Sequence, residues 1–104
     1  MKVEIKGIHL DVSERMKNYI EKKITRIDFA KDLIIDLLFR LVKEGSGFKC
    51  EATLKFRWGN TSHIEVDCFD IFQGIDKLFD KMEVKINREK GKIQEHKRSV
   101  SEAS

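Results

Sequence analysis

An α+β fold is what this sequence predicts: a two-layer sandwich in the order β-α-β-β-β-α, a four-stranded sheet with two helices packed on one face. Three patterns predict it. Phe48, Cys50, Ala52, Leu54 and Phe56 alternate with Lys49, Glu51, Thr53, Lys55 and Arg57, the period of a strand with one wet face. Ile64, Val66 and Cys68 alternate with His63, Glu65 and Asp67 just beyond a turn at Trp58 to Ser62. From Asp70 to about His96, Ile71, Phe72, Ile75, Leu78, Phe79, Met82, Ile86 and Ile93 recur at spacings of three and four, so they share one face of a long helix.

The remaining elements follow in chain order. Val3 and Ile5 alternate with charged residues over Lys2 to Lys6, a half-buried strand that Gly7 is expected to end. Asp11 or Ser13 can cap a helix over Ser13 to Ile27, whose buried stripe is Met16, Tyr19, Ile20, Ile24 and Ile27. Asp28 to Asp32 is a connector. The apolar run LIIDLLFRLVK after it is read as a strand with Leu33, Ile35, Leu37, Phe39 and Leu41 on one face, because Glu44 to Gly47 then makes a hairpin loop. The expected division is a domain over residues 1–97 and a flexible tail over 98–104.

Composition narrows the function. The chain has 104 residues, 38% of them charged, a net charge of +3 and no proline, so it reads as one globular domain. A mild net charge means that a polyanionic partner must be argued from clustering. No apolar run approaches the roughly 20 residues that span a bilayer, and MKVEIKG is not a signal peptide, so a cytoplasmic protein without membrane contact is expected. Cys50 and Cys68, set within apolar alternation, are expected to be buried free thiols.

Charge clusters on the helices. Lys77, Lys81, Lys85, Arg88 and Lys92 follow one another at intervals of four, four, three and four, a basic stripe about 22 Å long. Asp76, Asp80 and Glu83 take the opposite flank. The first helix is polarised in the same way, with Arg15, Lys22, Lys23 and Arg26 on one side and Glu14 and Glu21 on the other. Two side-by-side helices would join these flanks into a patch holding Arg15, Lys22, Lys23, Arg26, Lys81, Lys85, Arg88 and Lys92, if their order and direction allow it. Such a patch contacts phosphates without reading bases.

Other chemistry finds little support. His9, His63 and His96 have no partner at metal-ligand spacing, and no phosphate loop, GxSxG elbow or HExxH is present. No catalytic residue, metal or cofactor is expected. His63 shares a strand face with Glu65 and Asp67, the one arrangement suited to acid-base work, but that face is expected to meet solvent. Trp58 reads as a lid over the core edge ahead of a base-stacking platform.

Taken together, these residues resemble the ribosome hibernation promoting factor family, also called ribosome-associated inhibitor or ribosomal subunit interface proteins. The resemblance runs from Lys2 to about Lys97. Its most specific part is DIFQGIDKLFDK with the basic run INREKGK, similar to the family's Asp-Met-Tyr-Ala-Ala-Ile-Asp entry into its last helix; VSERMKNYIEKKITRI resembles the family's capped first helix. Gln73 and Gly74 stand where the family has two alanines, and Val84 where a basic residue is common.

The resemblance implies a non-catalytic protein that docks in the decoding channel of the small ribosomal subunit, where messenger and transfer RNA would sit, and holds ribosomes idle under stress. By position, Lys23, Arg26, Lys81, Arg88, Lys90 and Lys92 match the family's basic contacts to ribosomal RNA. Lys22 and Lys85 come from the helical wheel alone, and Lys90 falls off the stripe. Expected partners are the small subunit, its RNA and a ribosome-dimerising helper protein, with the chain monomeric off the ribosome. A short form is implied, nearer the dimer-promoting type because the tail is short. A general double-stranded-RNA module is the competing reading, though that class normally offers a Gly-Pro loop between strands.

Overall fold

The computed structural model describes residues 1–92 with their side chains and, beyond them, the helical path to Ala103. The side-chain readings of Ile93 and His96 lie outside the described residues, and α2 runs past the His96 end read from the sequence, through the expected tail, to Ala103. The elements are β1 (Lys2–Ile8), α1 (Glu14–Lys23) leading into a 3₁₀ segment (Ile24–Ala30), β2 (Ile34–Glu44), β3 (Gly47–Phe56), β4 (Thr61–Cys68) and α2 (Ile71–Ala103). This is the expected β-α-β-β-β-α order.

The sheet runs β1-β2-β3-β4. β1 is parallel to β2, which the intervening α1 crossover permits, while the tight loops after β2 and β3 impose antiparallel pairing. Gly45 (φ 54°) and Gly59 (φ 95°) sit in those loops in the left-handed region that only glycine enters without strain. α2 packs on β3 and β4, and α1 lies beside β1. Their apolar stripes meet the sheet in one core in which Ile20, Phe39, Leu54, Phe56, Ile75, Phe79 and Met82 are fully buried. The caps form as expected. Ser13 Oγ accepts from Met16 N at 3.1 Å, which selects Ser13 over Asp11, and Asp70 Oδ1 accepts from Phe72 N at 2.9 Å.

β4 begins at Thr61, inside the expected turn, and three further features differ from the sequence reading. The α-helix stops at Lys23 and tightens into 3₁₀ geometry. Ile24, Ile27 and Ala30 lie three apart, the repeat of that tighter helix, and both Ile27 and Ala30 are fully buried. In β2 the pairing register shifts between Ile34 and Asp36, so Ile34 turns inward and Ile35, expected in the core, is 43% exposed. β1 runs past Gly7 to Ile8; Gly7 packs against the Leu10 carbonyl so closely that a Cβ would overlap it. Trp58 stacks on Phe56 with ring centroids 4.9 Å apart and 13° between planes, the lid expected of it.

Candidate nucleic-acid interface

The two polarised helices settle against each other through opposite charge. Arg26 Nε donates to Glu83 Oε1 at 2.9 Å, and its terminal nitrogen to Glu83 Oε2 at 3.0 Å and Asp80 Oδ1 at 2.6 Å. These bonds raise the guanidinium pKa further above its ordinary value, Glu83 contributing most. Lys23 Nζ lies 3.3 Å from Asp76 Oδ1, which also accepts from Tyr19 OH at 2.8 Å and so raises that phenol's pKa. The basic flank of α1 therefore faces the acidic flank of α2.

The two basic flanks do not join into one patch, a point that the sequence left open. Lys23 and Arg26 are engaged within the fold, and Asp76, Asp80 and Glu83 stand between them and the outer stripe of α2. Arg15 lies over the Phe72 ring at 4.9 Å. Lys22 is exposed on α1, with its carbonyl accepting from Thr25 Oγ1. Lys90 stands over the Phe29 ring at 5.6 Å, which explains its place off the stripe: it belongs to the α2 flank nearer α1.

The structure does bring together Lys81, Lys85 and Arg88. With Asp80 and Val84 they form one wall of an open groove of about 470 Å³, and His63, Ile64 and Glu65 of edge strand β4 form the other. Lys81 Nζ donates to the Glu65 carbonyl at 3.4 Å, which turns the ammonium toward the groove. Lys85 lies 3.6 Å and Lys92 3.5 Å from Glu89 Oε1. Among the described residues neither Lys81 nor Arg88 forms an ion pair with a carboxylate. Lys77 lies toward the N-terminal end of α2, lining a separate depression with Asp67 and Asp70.

Glu89 is the residue that sequence reasoning missed. It is 4% exposed, within the stripe, and its spacing of four from Lys85 and three from Lys92 was the available signal. Burial alone would raise its carboxyl pKa, but the Asn60 amide, 3.4 Å from Oε2, and the two lysines outweigh this and hold it below the usual range. A lowered folded pKa gives stability that is present above the unfolded value of about 4.3 and is lost as pH falls through the folded one. Glu89→Gln should therefore lower stability at pH 7, with the gap to the parent closing in acid. Urea midpoints across pH measure this; a gap independent of pH would contradict it.

The fold, a cationic groove and a charge-locked helix pair are thus in place. Residues 3–94 match the family described as sigma 54 modulation protein / S30EA ribosomal protein. The chain belongs to this family. Within the S30EA family, it is 32% identical over 92 residues to the ribosome hibernation promoting factor of Azotobacter vinelandii, covering 88% of this chain and 85% of that one. It is 29% identical over 94 residues to the Pseudomonas putida protein of the same name, covering 90% and 91%. A ribosomal subunit interface protein from Coxiella burnetii shares the fold at a TM-score of 0.81 and 23% identity, covering 88% of this chain and 99% of that one. The N-terminal domain of Thermus thermophilus Protein Y does so at 0.74 and 24%, covering 85% and 98%. No helix among the described residues is long and apolar enough to cross a membrane.

Proposed function

We propose that this chain is a ribosome hibernation factor that docks in the mRNA and tRNA channel of the small subunit and blocks translation under stress. Its contact with ribosomal RNA is made first by Lys81, Lys85 and Arg88, with Lys92 extending the line, and Lys22 and Lys90 meet RNA from the α1 side. The observation that carries this reading is the groove between α2 and β4, where Lys81, Lys85 and Arg88 gather on one wall while Asp76, Asp80 and Glu83 are paired with Lys23 and Arg26. Family membership and the names of the relatives support it. Lys23 and Arg26, committed to α2, act by holding α1 in place.

Phosphate contacts release counterions, so affinity falls with salt by a log-log slope of about 0.7 to 0.9 per phosphate neutralised. Co-sedimentation with purified small subunits across a potassium chloride series should show that fall, and prior filling of the channel with mRNA and tRNA should exclude the protein. Equal affinity for plain duplex RNA would instead favour a general double-stranded-RNA module.

A further inference from the structure

The open face of the sheet carries a cluster that the groove does not explain. In the β3/β4 register Glu51 lies directly opposite Glu65, and Thr53 opposite His63. Carboxylates so paired repel each other, and Glu51 is 8% exposed, which sharpens the need for positive charge between them. His63 supplies a ring held in position. Its Nδ1 is 3.0 Å from Thr53 Oγ1, and its Nε2 faces Glu51 Oε1 at 3.2 Å and Glu65 Oε2 at 3.9 Å.

We propose that Glu51, His63 and Glu65 form a zinc site. One donor atom from each lies within 4.8 Å of the others. Zinc bonds of about 2.0 to 2.1 Å in tetrahedral geometry place neighbouring donors roughly 3.3 Å apart. The His63–Glu51 pair already has that spacing, and the exposed Glu65 carboxylate reaches it by a small swing. Water completes the fourth position on the open side.

The outer partners fit this assignment. Thr53 holds the imidazole by the nitrogen that does not face the carboxylates, and Arg40 lies 3.5 Å from Glu51 Oε2, leaving Oε1 for the metal. Lys49, 3.9 Å from Glu65 Oε2, is the competitor, but it also has Glu44 at 3.7 Å to return to. One imidazole with two carboxylates suits zinc; magnesium and calcium take six or more oxygens.

His63 and Glu65 also line the groove, so a bound zinc ion would neutralise the Glu65 carboxylate on the wall that faces Lys81, Lys85 and Arg88. This consequence rests on the proposed function, whereas the metal site does not. Zinc chloride titrated into the full chain in a non-chelating buffer, followed by calorimetry and by imidazole ¹⁵N resonances, tests the site. The expected result is saturation at one equivalent with a shift at His63 Nε2 and none at His9 or His96. Binding should be lost in His63→Gln and Glu65→Gln, and weakened about tenfold in Thr53→Val.

Binding unchanged in the correctly folded His63→Gln or Glu65→Gln variant would overturn the site, as would an equal response to magnesium chloride or a shift at His9 or His96. Zinc that binds as expected without tightening the small-subunit complex supports the site and counts against the groove as the RNA contact.

Discussion

Replacing Lys81 and Arg88 together by glutamate should abolish co-sedimentation with the small ribosomal subunit. Both side chains are exposed on the groove wall, and neither forms an ion pair among the described residues, so a phosphate competes with no carboxylate for their charge and has only the 3.4 Å bond from Lys81 to the Glu65 carbonyl to displace. Reversal removes two attractions and adds two repulsions at one surface. The neutral pair Lys81→Gln and Arg88→Gln should bind more weakly, with the salt slope reduced by about 1.4 to 1.8, the loss of two phosphates. Charge reversal at Arg26 should behave differently. It would set a carboxylate against Asp80 and Glu83 and lower stability before it affects RNA. Retained binding of the Lys81 and Arg88 double variant would mean that RNA is held elsewhere.

The second large effect concerns Gly74. Alanine in a helix interior is ordinarily preferred to glycine by about 1 kcal/mol, and the resemblance puts alanine in this place, yet Gly74→Ala should destabilise this chain by about 1 to 3 kcal/mol through overpacking. A Cβ at position 74 would overlap Cys68 Sγ and lie 2.9 Å from Cys50 Sγ. The two sulfurs are 3.9 Å apart beneath α2, and burial pushes the Cys50 thiol up to about 12, so they act as small apolar side chains with little reactivity. Cys68→Ala removes the sulfur that the new methyl would strike. Combined with Gly74→Ala it should restore much of the loss, a non-additivity measurable in a urea-unfolding double-mutant cycle. Additive costs would show that Gly74 is not there to house the thiols.

How much was legible depended on how far each feature reached along the chain. β3 and α2 were legible because their periodicities of two and of three-to-four are local and uninterrupted. The phase of β2 was not, because Leu33, Ile34 and Ile35 are all apolar and a bulge among them leaves no polar residue to mark it. The shift from α to 3₁₀ geometry after Lys23 was hidden for a similar reason: Ile24 and Ile27 satisfy both repeats.

Site residues divided along the same line. That Lys81, Lys85 and Arg88 share a flank follows from spacing. That Lys23 and Arg26 turn toward the acids of α2 follows from the lateral placement of two helices, which no local pattern encodes. The grouping of Glu51 with His63 and Glu65 required the register of the β3/β4 hairpin, although Gly59 and Asn60 marked its turn.

If the α2/β4 groove faces ribosomal RNA, a probe placed within it reports the nucleotides that it meets. Val84, 53% exposed between Lys81 and Lys85, is the position for that probe. An iron chelate tethered to Val84→Cys should cleave small-subunit RNA at a compact set of nucleotides along the mRNA and tRNA channel, while the same probe on Glu4→Cys, at the far edge of the sheet, should leave those nucleotides intact. Channel cleavage from position 4 and none from position 84 would place the opposite edge against the RNA and contradict the account.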